Sequence, residues 1–264
     1  MRGASLMLNI FIGYDKNETA AYHVLAHSLI RRATSPISIT PVCRDHFPYF
    51  TRTRGPLEST DFSISRFLVP YLSGYAGYSL FMDSDMLCRV PIHEVWQAMD
   101  PRKFQQKAVW VCPHDYVPKD APKMLGQVQT AYPRKNWSSF MFFDNDACRI
   151  LTPDYVNTAT GLHLHRFEWL PDDAQIGFLP LEWNWLVEEY APNDQAKVLH
   201  YTLGGPWWGK YRSCDHAEEW FDEFRHMTGM DYFPTQAWEC PPQMGEKSPA
   251  TGNPLSHGEC FKKT

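Results

Sequence analysis

The stretch of chain up to Val42 constrains the fold more than any other. Leu6 to Ile12 is an apolar run closed by Gly13, the profile of a parallel strand buried on both faces. Ala21, Val24, Leu25, Ser28 and Leu29 then follow helical spacing, with Glu18-Thr19 as a start signal just upstream. Ile37 to Val42 alternates and is β-branched, which reads as a second strand. Strand, helix and strand at this spacing form a βαβ unit. Because the crossover helix must cover a sheet face, the unit implies a three-layer α/β domain.

The remaining elements fit that plan. Ser63 to Leu72 reads as a helix, and Tyr78 to Met82 as a short buried strand that runs into Asp83-Ser84-Asp85. Ala108 to Cys112, Phe140 to Phe143, Gly177 to Leu181 and Ala196 to His200 are further strand candidates, and Trp220, Phe221 and Phe224 suggest a closing helix. Arg44 to Thr60 reads as a loop, and Pro113 to Asn136 as a long surface loop with the character of a lid. One domain over 1–238 is expected, with a proline-containing tail over 239–264 that is mobile or wraps the surface.

Composition excludes several classes. The chain is 15% aromatic, too much apolar surface for a disordered protein of 264 residues. Its 25 Lys and Arg against 30 Asp and Glu form no like-charged block, so nothing suggests a nucleic-acid footprint. No apolar run reaches the roughly 18 residues of a membrane span, which leaves only peripheral membrane contact open. The first residues lack a signal-peptide cleavage pattern, and the seven scattered cysteines form no CxxC pair. Reduced thiols in the cytoplasm are therefore expected, rather than a zinc site.

Chemistry concentrates at Phe81-Met82-Asp83-Ser84-Asp85-Met86. The two carboxylates alternate at the end of a buried strand, at the carboxyl edge where open α/β sheets bind ligands. Alternation sends Asp83 and Asp85 to the same side and Ser84 to the other. Two carboxylates on one side repel unless a cation or proton lies between them, and Mg²⁺ or Mn²⁺ is the natural partner for hard oxygen ligands. A solvated turn is the alternative, but the apolar residues on both flanks make exposure less comfortable. Downstream, His200 ends the run Val198-Leu199-His200 and precedes Gly204-Gly205, where backbone can approach a ligand closely. Neutral imidazole suits Mn²⁺ better than Mg²⁺. Asp15 and Asn17 lie just past the first strand, where α/β domains read a base or ribose; a capping role is the alternative.

In order along the chain, Ile10-Phe11-Ile12-Gly13-Tyr14-Asp15, Ser63-Ile64-Ser65-Arg66-Phe67, Phe81-Met82-Asp83-Ser84-Asp85, Asp172-Asp173 and Leu199-His200-Tyr201 resemble GT-A glycosyltransferases of the family 8 type. That family includes glycogenin and bacterial lipopolysaccharide galactosyl- and glucosyltransferases. The resemblance runs from Leu8 to Trp208 and implies the GT-A fold, a Rossmann-like three-layer nucleotide-diphospho-sugar transferase architecture. It implies hexose transfer from a nucleotide-sugar, a UDP-sugar by preference, to a glycan or lipid-linked hydroxyl with retention of configuration. Asp83, Asp85 and His200 would ligate Mn²⁺ or Mg²⁺. Gly13, Tyr14, Asp15 and Asn17 would meet the base and ribose, and Asp83 and Ser84 the donor beside the metal. Arg66 would contact the diphosphate or sugar.

The sequence departs from the family at three places. Leu170-Pro171-Asp172-Asp173-Ala174-Gln175 replaces the family's Asp-Gln-Asp segment under the anomeric carbon, so Asp172, Asp173 and Gln175 share the catalytic expectation between them. Ser138 stands where the family has an amide that contacts the sugar. Gly205 stands where it has a phosphate-binding lysine, which leaves Lys210, Trp207 or the backbone of Gly204 and Gly205 to meet the diphosphate. Two other classes compete: a DxD phosphohydrolase, which would want Thr or Val at Leu87, and a non-catalytic glycan-binding module using the aromatic rings.

Overall fold

The computed structural model describes residues 7–55, 58–99, 106–115 and 133–231. The expected tail over 239–264 and most of the expected lid, 116–132, lie outside the described residues.

The expected βαβ unit is present. Strand β1 (Leu8–Gly13) leads through a 3₁₀ turn into helix α1 (Thr19–Arg32), and β2 (Ile37–Val42) returns parallel to β1. After a 3₁₀ turn at Ser65–Leu68 come α2 (Val69–Leu72), β3 (Tyr78–Met82) and β4 (Met86–Cys88), then α3 (Val95–Ala98) and β5 (Val109–Val111). Next are β6 (Phe140–Asp144), α4 (Pro153–Thr158), α5 (Gly161–His165) and β7 (Ile176–Phe178). The order closes with β8 (Trp185–Leu186), β9 (Val198–His200) and α6 (Ala217–Thr228).

Six strands form one sheet in the order β2-β1-β3-β6-β5-β7, in which only β6 runs against its neighbours. Period-two alternation divides its side chains between two cores. Ile10, Ile12, Leu80 and Met82 face Leu25 and Leu29 of α1. Phe11, Phe81, Met141 and Phe143 face Val69 of α2 and Val156 of α4. A sheet covered on both faces is the three-layer arrangement. A second, smaller sheet, β4-β9-β8, packs with α1 and α6 around Val24, Leu199, Trp207 and Trp220.

Two local readings change. The helix expected over Ser63–Leu72 is a 3₁₀ turn followed by a single α-turn, because Gly74 at φ +62° and the turn beyond it leave no length to propagate. Strands β4 and β8 carry too few residues for periodicity to reveal and exist only through pairing with β9.

One buried ion cluster ties α1 to α6. Glu223, with a side chain 1% exposed, accepts hydrogen bonds from Arg31 at 2.7 and 3.0 Å, from Arg32 at 2.7 Å and from His27 Nδ1 at 2.6 Å. Burial alone would raise its carboxyl pKa, but the hydrogen bonds from Arg31 and Arg32 outweigh burial and hold it down to about 2. Among the described residues the cysteines Cys43, Cys88, Cys112, Cys148 and Cys214 are free thiols.

Candidate functional site

Strand pairing, not proximity in sequence, builds the site. β3 ends at Met82 on the carboxyl edge, and the chain turns through Asp83-Ser84-Asp85 into β4. β4 pairs antiparallel with β9 so that Met86 lies opposite His200, and the Tyr201 N–H donates to the Asp85 carbonyl at 2.9 Å. The pairing sets an imidazole from far downstream beside the second carboxylate. Ligand atoms of Asp83, Asp85 and His200 lie within 4.8 Å of one another, and His200 Nε2 is 3.3 Å from Asp85 Oδ1. Two hard carboxylates and one imidazole at that spacing fit a single divalent cation with mixed oxygen and nitrogen ligands.

The surroundings hold these side chains in place. The Asp83 N–H donates to the Ser139 carbonyl at 2.9 Å. Arg66 Nη1 is 2.8 Å from Asp83 Oδ1 and donates to the Ser138 carbonyl at 2.9 Å. Its guanidinium lies against the rings of Phe62 and Phe81, 5.3 and 5.1 Å from their centroids, so a buried cation is kept at the sheet edge by aromatic faces as well as by charge. The Ser138 hydroxyl is 2.7 Å from Nδ1 of His165, whose pKa is lowered to about 3 by burial and then by the charges of Arg66 and Arg52. His165 is therefore a neutral ring.

Ser84 lies in the turn between β3 and β4 and donates to Glu18 Oε2 at 3.2 Å. Glu18 is a buried acid that the sequence reading treats only as part of a helix start. Burial, followed by the charges of Asp85 and Asp15, raises its pKa well above the usual carboxylate range. Asp15, also buried, accepts from the Asn17 N–H at 2.9 Å and from the Asp61 N–H at 3.0 Å, so it caps its own 3₁₀ turn and pins the loop before Phe62. Gly13 is required by the same loop: a Cβ there would stand 2.3 Å from the Phe62 ring. Tyr14 Oη lies 3.2 Å from Thr19 Oγ1, and Asn17 is exposed at the rim.

The other expected contacts divide. Gly204 and Gly205 follow closely on His200, and both are crowded: a Cβ would stand 2.5 Å from the Tyr211 ring at Gly204, which has φ +134°, and 2.0 Å from the Trp207 ring at Gly205. Lys210 is exposed, with Nζ 5.0 Å from the Tyr211 ring centroid. Asp172, Asp173 and Gln175 are not brought to the group. They form a 3₁₀ turn that enters β7 at Ile176, and the register Ile176–Val109–Phe143–Ser79 puts that turn level with the opposite end of β3. Asp172 caps the turn through the Ala174 N–H at 2.8 Å, and Asp173 pairs with Arg134. Sequence reasoning also passed over Ser139 and Asn184, both buried beside the metal-type group. The available signal was Trp183-Asn184-Trp185, an amide residue flanked in sequence by two tryptophans.

The sheet order and the acid–acid–histidine group define a protein of the GT-A glycosyltransferase fold. The bifunctional glycosyltransferase WbbM superposes with a TM-score of 0.56 at 15% identity over 82% of this chain; the chain spans about half of that protein, 49%. The galactosyltransferase LgtC, solved with donor and acceptor sugar analogues, gives 0.54 at 11% identity over 88% of this chain and 99% of that one. GlyE of Streptococcus pneumoniae gives 0.50 at 12% identity, covering 82% of this chain and 60% of that one. No family model matches the chain. The chain belongs to the family of Protein CDI from Arabidopsis thaliana, with which it shares 43% identity over 224 residues, 81% of this chain and 85% of that protein.

Proposed function

We propose that this chain is a metal-dependent glycosyltransferase that moves a hexose from a nucleotide-sugar, a UDP-sugar by preference, to a hydroxyl of a glycan or lipid-linked acceptor. The observation that carries the reading is the convergence of Asp83, Asp85 and His200 at the carboxyl edge of a GT-A sheet. Asp83, Asp85 and His200 Nε2 would hold Mn²⁺, with Mg²⁺ the weaker match to an imidazole. A bound divalent cation supplies charge neutralisation for the diphosphate as the bond between C1 and phosphate breaks.

The chain's own groups do the rest. Arg66 keeps a positive charge within ion-pair distance of Asp83, at the edge where the departing diphosphate would gather charge. Gly13, Tyr14, Asp15 and Asn17 form the rim on which a base and ribose would rest, and Ser84, Ser138, Gly204, Gly205 and Lys210 remain the proposed donor contacts around it. Retention follows from the family resemblance, with the leaving phosphate taking the acceptor proton. No step is assigned to Asp172, Asp173 or Gln175, since the sheet register separates them from the metal-type group. Leu87 is buried in β4 and paired with Leu199, which gives the phosphohydrolase alternative nothing to use at that position.

Thermal melting with MnCl₂, UDP and both together tests the proposal. Joint stabilisation larger than the sum of the separate effects is expected, because each ligand binds the folded state through the other. A transition that neither ligand moves would favour a glycan-binding module.

A further inference from the structure

The two neutral tautomers of His200, Nδ1–H with an Nε2 lone pair or the reverse, are not equivalent for a metal ligand, and the structure contains a device that selects between them. His200 Nδ1 lies 2.9 Å from Asn184 Oδ1. Asn184 Nδ2 donates to Ser139 Oγ at 2.8 Å, and Ser139 Oγ donates in turn to the Asn136 carbonyl at 2.6 Å. His200 and Asn184 are 2% and 0% exposed, so water does not compete for these positions.

The carbonyl end of this relay has a fixed polarity. A backbone carbonyl can accept but never donate, so the Ser139 hydroxyl proton is committed to Asn136. The Ser139 oxygen must then accept from Asn184, which directs the amide Nδ2 toward Ser139 and Oδ1 toward His200. A flipped amide would set Oδ1 against Ser139 Oγ, whose proton is already used, and within 3.4 Å of the Asn136 carbonyl that Nδ2 now faces. With Oδ1 toward the imidazole, His200 must carry its proton on Nδ1, and the Nε2 lone pair is left facing Asp85 at 3.3 Å. The origin of the relay is a residue in the left-handed region: Asn136 has φ +64°, a conformation that asparagine tolerates better than most residues, and it aims its carbonyl at Ser139.

We infer that Asn184, oriented by Ser139 and the left-handed turn at Asn136, is a positioning residue that locks His200 in the Nδ1–H tautomer and so presents Nε2 as the metal ligand. The inference rests on the metal site of the proposed function, but the tautomer itself can be read without any metal. Ser139 serves two purposes in this arrangement, because its own carbonyl holds the Asp83 N–H at 2.9 Å. One residue thereby couples the carboxylate ligand from β3 to the orientation of the imidazole from β9.

The test uses the full chain in wild-type form and as Asn184→Leu, Asn184→Asp and Ser139→Ala. Long-range ¹H–¹⁵N spectra of the metal-free protein, at a pH where the imidazole is neutral, report the His200 tautomer, and a titration with MnCl₂ followed by electron paramagnetic resonance reports affinity. Wild type is expected to show the Nδ1–H tautomer. Asn184→Leu should admit the Nε2–H form and weaken Mn²⁺ by about 10- to 100-fold, the usual cost of losing a partner that orients a ligand. Asn184→Asp should restore the tautomer, since a carboxylate accepts from Nδ1–H as the amide oxygen does. Ser139→Ala, which keeps the Ser139 backbone and tolerates folding better than the leucine variant, should show a mixture of tautomers.

An Nε2–H wild-type ring would overturn the inference, as would Mn²⁺ affinity unchanged in variants whose tautomer has shifted. Failure of the wild-type protein to bind Mn²⁺ would instead remove the proposed function, while the metal-free spectrum still decides whether Asn184 sets the ring.

Discussion

Two buried charge clusters, each with a histidine, sit toward opposite ends of α1, and they are built in opposite ways. At the α1–α6 contact, Glu223 meets Arg31, Arg32 and His27, and both of its oxygens are engaged. At the sheet edge, Asp15, Glu18, Asp83 and Asp85 gather near Arg66 and the His200 ring, so acids outnumber the one permanent cation of the group. The difference appears in the carboxyl groups themselves: Glu223 is held down to about 2, whereas Glu18 is pushed well above its ordinary value. A cluster whose charges are matched by its own side chains strengthens the fold. One with surplus negative charge is a strain on the folded state until a cation or a proton offsets it, as the proposed metal would.

The largest expected effect breaks the site and spares the Glu223 cluster. Asp85→Asn should lower metal-dependent turnover by on the order of 10³-fold, the scale of losing a preorganised electrostatic contact. The metal-free melting temperature should stay level or rise, because a repelling charge is gone; near-normal turnover would remove Asp85 from the metal site. Glu223→Ala should do the reverse. It leaves His27, Arg31 and Arg32 without their shared acceptor and should cost about 3 kcal/mol by denaturant unfolding, with Mn²⁺ affinity unchanged. A loss of affinity there would mean that the two clusters are coupled through α1.

Acidity separates the clusters more finely, since their contributions have opposite signs. The folded pKa of Glu18 is raised, so the metal-free protein should gain stability as pH falls through that value, until the unfolded chain is also protonated near the ordinary carboxylate range. The folded pKa of Glu223 is depressed to about 2, so its contribution is present above the unfolded value and lost as pH falls toward about 2. The metal-free protein should therefore pass through a stability maximum in mild acid. Glu18→Gln should erase the gain on the neutral side and weaken Mn²⁺ about tenfold, equal to about 1.4 kcal/mol. Glu223→Gln should shrink the loss on the acid side. If both variants alter the same limb of the profile, the contrast between the clusters fails.

Legibility in the sequence follows the range over which each feature is determined. The strands β1, β2 and β3 and helix α1 are set by local periodicity and lie within a residue or two of where the pattern puts them. Asp83, Asp85 and His200 could be read because the two acids follow directly on an apolar strand and His200 ends another, and a strand end in an α/β sheet has one functional edge. Glu18 was hidden because a helix-start signal looks the same whether the acid faces water or the sheet. Asn184 and Ser139 were hidden because their roles come from pairing β8 with β9 and from a left-handed turn at Asn136, contacts between segments that no local window spans. The Asp172-Asp173 pattern misleads for the same reason. Its composition suits a site, but the register of β7 against β5 carries it to the far end of the sheet.

The smallest effect addresses the loop after His200, where two kinds of residue were expected to meet the diphosphate. Gly204 and Gly205 are fixed by the Tyr211 and Trp207 rings that occupy the space of a Cβ, so substitution there disturbs packing before it reports on a ligand. Lys210 is free of that ambiguity: it is exposed, and its Nζ lies over Tyr211 at 5.0 Å from the ring centroid. Lys210→Ala should change stability by less than about 0.5 kcal/mol, as surface substitutions do. If the lysine supplies charge to the donor, KM for the nucleotide-sugar should rise by a few-fold at low salt, and the difference should vanish as salt screens an exposed charge. A salt-independent KM shift would instead trace to the Tyr211 contact and the glycines packed beneath it. An unchanged KM at every salt concentration would leave the diphosphate to Arg66 and the metal.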